Sequence, residues 1–166
     1  MALNQSLLPE LEQEGAMTRK MLMAVPLEHP DWKPHPKSMT IQRLASHIAE
    51  LPDWVSTTIK TDMLDFANFG YKPFLATSTE ELLKKFDEKQ AKAIEDLAMA
   101  SDETLLSNWT LRNGDKVYFT LHKLAVIRSF ALSHAIHHRA QLSVYLRLND
   151  VPVPGMYGPT ADEKGM

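Results

Sequence analysis

The stretch from Leu121 to Leu148 constrains the fold more than any other part of the chain. Its residues Leu124, Ile127, Ala131, His134, His138, Gln141 and Tyr145 follow one another at alternating steps of three and four, which places them along one face of a long helix. An amphipathic helix draws most of its stability from packing that face, so a stripe of this length has to be covered by other long elements.

Three further helical patterns supply that cover. Between Gln5 and Val25, Leu7, Leu8, Leu11, Met17, Met21 and Leu22 recur at helical spacing, and Gly15 weakens the middle of the segment without vetoing it. Prolines at 26, 30, 34 and 36 then impose an extended linker. Ser38 is placed to cap a second helix with Ile41, Leu44, Ile48, Leu51, Val55 and Ile59 on one face, kinked at Pro52 where the carbonyl of Ile48 is released. Residues 61–77 show no period, contain Gly70 and Pro73, and read as a long connection. Ser78 and Glu81 form an S-x-x-E capping box before a third helix that presents Leu82, Phe86, Ala93 and Leu97.

Between the third and fourth helices the period changes. NWTLRNGDKVYFT, residues 108–120, alternates around Asn113-Gly114, a hairpin signal, and predicts a small two-stranded ribbon packed on the helices. NDVPVPGMYGPTADEKGM closes the chain as a proline- and glycine-rich tail. The expected class is all-α: a four-helix bundle forming one domain over residues 1–166, with a small β-hairpin between helices three and four. The 61–77 connection is long enough to permit a crossover, and periodicity does not decide the topology.

Composition narrows the function. Eighteen basic against 21 acidic residues give a net charge of −3, which offers no footprint for nucleic acid or an anionic membrane. No apolar run approaches the roughly 20 residues of a membrane span. The N-terminus lacks the basic start and apolar core of a secretory signal, so the expected location is cytoplasmic. Cysteine is absent, which removes disulfides, thiolate zinc sites and a cysteine nucleophile. A zinc-like metal would have to be held by imidazole and carboxylate.

Histidine occurs at 29, 35, 47, 122, 134, 137 and 138. His134 and His138 stand four apart in the apolar seam, where both rings can reach one cation. With this many histidines such a pair arises by chance about a quarter of the time, so position is the stronger argument. Imidazoles facing a core need partners. His47, on the stripe of Leu44, Leu51 and Trp54, can supply a third ligand from the second helix, although taken alone it reads as a hydrogen-bonded core histidine. His137 lies one residue off the seam, His29 and His35 fall in the linker, and His122 reads as a surface or structural residue. Neither H-E-x-x-H nor Glu-x-x-His occurs, so a zincin and a di-iron bundle are both excluded. Three histidines without a fourth protein ligand would make an open site of the kind used in catalysis.

HAIHHRAQLSVYLRLNDVPVPGMYGPTADE, residues 134–163, resembles the C-terminal signature of the DinB-like family, and SMTIQRLASHIAELPDW, residues 38–54, resembles its second-helix motif. The order and spacing of the resemblance cover nearly the whole chain. The resemblance implies a four-helix bundle of up-down-down-up topology, often dimeric, with one divalent metal held by His47, His134 and His138. Arg139, Gln141 and Tyr145 match other signature positions without an assigned role. Glu50, one turn beyond His47, reads as a solvated glutamate or as a group orienting that ring.

Relatives of this family include thiol-dependent transferases. The resemblance therefore implies a metal-dependent transferase that activates a low-molecular-weight thiol for attack on an electrophile, the cysteine-free chain taking its thiol from a co-substrate. The implied cofactor is one divalent transition metal, zinc first, with nickel or iron as alternatives. The implied partners are a small-molecule substrate and a second copy in a homodimer. Two readings compete: a metal-hydroxide hydrolase, for which no general base is identifiable, and a non-catalytic, metal-stabilised helical dimer or interaction module.

Overall fold

A computed structural model describes residues 2–163; Met1 and the end of the expected tail, residues 164–166, lie outside that range. The first helix, α1 (Leu3–Met23), runs unbroken through Pro9 and Gly15. Pro9 and Gln5, whose carbonyl loses its helical donor to the proline, both face solvent, where water replaces the lost bond. Gly15 has a packing reason. The Gln90 side chain crosses directly over it to donate Nε2–H to the Leu11 carbonyl at 2.8 Å, and a Cβ at position 15 would lie 2.2 Å from that nitrogen.

The second helical stripe is divided into α2 (Ile41–Glu50) and α3 (Asp53–Lys60). Thr40 caps α2, its hydroxyl accepting from the Arg43 amide at 3.1 Å, so the expected Ser38 cap is displaced by two residues. Pro52 breaks the helix instead of kinking it. Having no N–H to return to Ile48, the chain tightens, with Leu51 N–H donating to the Ile48 carbonyl at 3.2 Å and Val55 N–H to Pro52 at 3.0 Å.

The connection 61–77 contains a strand that the pattern does not reveal. β1 (Met63–Asp65) pairs in parallel with β2 (Asn108–Asn113), which pairs antiparallel with β3 (Lys116–His122), giving the order β1-β2-β3. The expected ribbon is therefore the larger part of a three-stranded sheet. Its turn is centred one residue later than expected: Asn113 opposes Lys116, and Gly114 takes the positive φ of +58°. The Gly114 amide donates to Asp65 Oδ1 at 2.9 Å, fastening the turn to β1 and holding the Asp65 carboxyl below its ordinary pKa. Trp109, fully buried, packs with Leu64, Leu111 and Val126, and so seats the sheet on the helices.

Helix α4 (Thr79–Met99) begins at Ser78, whose hydroxyl accepts from Glu81 N–H at 3.1 Å. The return bond of the capping box slips one residue, Glu81 accepting from the amide and hydroxyl of Thr77 at 2.8 Å each. A short α5 (Asp102–Leu106) leads into β2. The long seam starts at Lys123, because Leu121 and His122 belong to β3 opposite Trp109 and Asn108. It then runs through α6 (Lys123–Val126), a π-helical stretch (Ile127–Ser133) and α7 (His134–Leu148).

The core has two main parts. Met21, Leu22, Ile41, Ile48, Leu82, Phe86, Leu142 and Leu146 join α1, α2, α4 and α7. Leu7, Leu11, Val55, Ala93, Leu97, Ile127 and Leu132 join α1, α3, α4 and the π-helical stretch. The architecture is mostly helical with one small sheet, so the all-α expectation is corrected by the third strand. No helix among the described residues is long and apolar enough to cross a membrane.

Candidate metal centre

Two helices bring three imidazoles to one point. His47 comes from the last turn of α2, and His134 and His138 open α7. One nitrogen from each ring can be chosen so that all three lie within 4.8 Å of one another. The Nε2 atoms of His134 and His138 are 2.8 Å apart, and Nε2 of His47 stands 3.4 Å from that of His134. His138 is buried and the other two are half-buried.

Burial sets the protonation of this group. His47 is pushed down to about 4, first by desolvation and then by the charges of His138, His134 and Arg43. Desolvation also lowers His134 and His138, ahead of the effects of neighbouring charges. Around neutral pH the three rings are therefore neutral, each with one N–H and one lone pair. Gln141 decides the tautomer of His138. Its Oε1 lies 2.7 Å from Nδ1, and an amide oxygen only accepts, so Nδ1 carries the hydrogen and Nε2 turns its lone pair to the centre.

His134 carries the test of fit. Burial lowers its pKa first, the Phe130 carbonyl one turn back works in the opposite direction, and Nδ1 has no partner in hydrogen-bonding geometry. A hydrogen placed on Nε2 of His134 would satisfy His138 and leave Nδ1 as a buried, unserved lone pair. A hydrogen on Nδ1 leaves the Nε2 lone pairs of His134 and His138 facing each other at 2.8 Å without a proton between them. A cation at their meeting point resolves the second arrangement, and neutral imidazole is a ligand suited to zinc, nickel, iron and copper. The residues present thus fit a divalent metal.

His137 is exposed on the outer side, its ring 5.0 Å from that of His138, and takes no part in the group. His29, His35 and His122 are exposed, as expected. Glu50 meets neither expectation: its Oε2 accepts from the Tyr71 hydroxyl at 2.7 Å and lies 3.6 Å from Arg43 Nη1, so it neither orients His47 nor stands free in solvent. Of the signature residues, only Gln141 touches the site. Arg139 is 2% exposed and bonds the Glu14 carboxylate at 2.5 Å, the Glu14 carbonyl at 3.0 Å, the Thr18 hydroxyl at 3.1 Å and the Tyr157 hydroxyl. It thereby ties α7 and the C-terminal segment to α1. Tyr145 donates to the Met39 carbonyl at 3.1 Å and holds the linker ahead of α2.

Sequence reasoning missed the cleft beside His47, about 370 Å³ in volume, with Arg43 and Trp54 on one side and residues of the 64–72 segment on the other. Arg43 could have been suspected, since it stands four residues before His47 on the same helix face. The aromatic residues of the loop carry no such spacing.

The DinB family model matches residues 1–165. No curated protein matches the sequence. Among solved structures, a DinB-like protein from Bacillus cereus ATCC 10987 superposes with a TM-score of 0.71 at 19% identity, over 94% of this chain and 98% of its own. The DinB-like protein YjoA from Bacillus subtilis superposes at 0.70 with 18% identity, over 91% and 96%. At these identities the likeness is one of fold.

Proposed function

The chain belongs to the DinB family, and from that premise we propose that His47, His134 and His138 hold one divalent transition metal, zinc first, in a transferase that activates a low-molecular-weight thiol. The observation that carries the reading is the convergence of three neutral imidazoles, one of them fixed by Gln141 with its Nε2 lone pair inward. Held by three imidazoles, a divalent cation keeps a position for an outside ligand and lowers the pKa of a thiol that takes it. The protein's own residues orient and shield. Gln141 fixes the His138 ring, Arg43 places a positive charge beside His47 and His138, and the cleft at His47 gives a small molecule access. The thiol must come from outside, because the chain has no cysteine.

The same proposal takes residues 1–166 as one domain, with the four-helix, up-down-down-up arrangement in which α2 and α3 make the second helix and α6 through α7 the fourth. It further takes the working form as a cytoplasmic homodimer without nucleic-acid or membrane partners. The 2.8 Å contact of His134 with His138 favours one competing reading, core histidines that merely hydrogen-bond each other in a non-catalytic module.

Metal analysis by plasma mass spectrometry of untagged protein, beside His47→Ala and His134→Ala, separates the two. The proposal expects about one metal per chain in the wild type, lost in both variants, followed by turnover in a screen of thiol and electrophile pairs. Wild type that stays empty after dialysis against zinc, nickel and iron overturns it.

A further inference from the structure

The cleft at His47 has apolar walls and carries two cations, Arg43 and Lys72, beside two carboxylates, Glu50 and Asp53. Phe66 and Phe69, both nearly half exposed, line it together with Trp54, and large rings left open in a concave site are characteristic of small-molecule pockets. A volume of about 370 Å³ lies at the small end of the range for such pockets.

Both carboxylates in the lining are occupied. Asp53 is held by Lys89 at 2.7 Å, and Glu50 accepts the Tyr71 hydroxyl at 2.7 Å and the Phe74 amide at 3.4 Å. The cations are held less completely. Arg43 donates from Nη2 to the Tyr71 hydroxyl at 3.0 Å, but its Nη1 is buried without a hydrogen-bond partner, Glu50 lying 3.6 Å away. Lys72 forms no ion pair among the described residues. The Arg43 side chain is 24% exposed and leaves Nη1–H without an acceptor in hydrogen-bonding geometry, so an incoming anion can supply a charge-assisted bond that Glu50 at 3.6 Å does not make.

We propose that this cleft binds a small aromatic anion, its ring against Trp54, Phe66 and Phe69 and its carboxylate on Arg43 beside His47. The inference rests on the metal-site reading only in taking this molecule as the partner substrate of that site; the recognition by Arg43 stands without a metal.

The test is calorimetric titration with 1-naphthoate and with its neutral analogue 1-naphthamide, on protein as purified and after stripping with EDTA, the metal content of both samples being measured. The acid should bind about tenfold or more tightly than the amide in both samples, the size expected of one charge-assisted hydrogen bond. Arg43→Gln should erase that preference while the amide still binds, Arg43→Lys should restore part of it, and Phe69→Ala should weaken both ligands. Equal affinity for acid and amide, binding of neither, or a preference that survives Arg43→Gln overturns the inference. A preference that exists only in metal-loaded protein also overturns it, since the metal is then the anion site, while leaving the metal-site reading intact. Conversely, an Arg43-dependent preference in protein that never holds metal supports the inference and removes the metalloenzyme reading.

Discussion

Gln141 is the residue whose replacement most directly tests the logic of the metal centre. Its amide oxygen holds Nδ1–H of His138 at 2.7 Å, so it sets both which nitrogen of that ring carries hydrogen and where the other points. Gln141→Leu keeps the approximate volume and removes the acceptor. His138 then loses its tautomer preference and its orientation, and the second bond of the ring must be found elsewhere. Loss of such an outer partner lowers metal affinity by about ten- to a hundredfold, which corresponds to about 1.4–2.7 kcal/mol. Gln141→Glu makes the opposite prediction, because a carboxylate still accepts from Nδ1–H and raises the basicity of the ring, so affinity should hold or rise. The assay is a zinc competition titration against a fluorescent chelator, with the melting temperature of the stripped proteins confirming that each variant folds. An affinity for Gln141→Leu within threefold of wild type would refute the reasoning, as would weaker binding by Gln141→Glu.

Three other outcomes follow from the structure. The metal-free protein should lose stability in mild acid. A histidine held down to about 4 when folded but titrating at 6.5 when unfolded stabilises fully above pH 6.5 and loses that contribution as pH falls toward 4. That gap is equivalent to about 3 kcal/mol, reduced to about 2 by partial solvent access. Urea midpoints between pH 7.5 and 4.5 should fall less steeply in His47→Gln, and an unchanged slope would contradict the depressed value. Arg139→Met, which strands the buried Glu14 carboxylate, should cost about 3 kcal/mol or more and loosen the C-terminal segment to limited proteolysis, whereas a loss below about 1 kcal/mol would show that the pair is dispensable. Gly15→Ala should destabilise, since the roughly 1 kcal/mol gained in helix propensity is outweighed by expelling Gln90 from its bond to Leu11; Gln90→Ala should then turn Gly15→Ala into a neutral or stabilising change, and additive effects would rule out the clash.

Parts of the fold that depend on one long periodic face could be read from the sequence. The stripes of α1, α4 and α7 are sustained over several turns, and Asn113-Gly114 marks a turn by local chemistry alone. Other parts depend on distant partners and leave no local trace. β1 is three residues long, too short to alternate visibly, and exists because β2 lies beside it. The π-helical stretch Ile127–Ser133 keeps apolar residues at spacings that an α-helix would also allow, so the pattern does not distinguish them. Thr40 displaced Ser38 as the cap because both residue types can cap and only the path of the linker chooses between them.

The site divides in the same way. His134, His138 and Gln141 lie on one seam, and their spacing by four and three already places the acceptor beside the ring it orients. His47 is joined to them only by the packing of α2 on α7, which periodicity does not predict and the two family motifs together do. Tyr71 reaches Glu50 and Arg43 from a loop without a period, so the cleft was invisible. Between Ala131 and Tyr145 the seam turns polar at His134, His138 and Gln141, while Leu142 and Leu146 beside it stay buried and apolar. Apolar residues at His134 and His138 would remove the desolvation of two rings and the unserved Nδ1 of His134, at no loss of helix, whereas Gln141 is exposed. A chain that retains polar groups where an apolar core is the more stable solution places its local conflict at the site it uses, which is the physical ground for reading this stretch as functional.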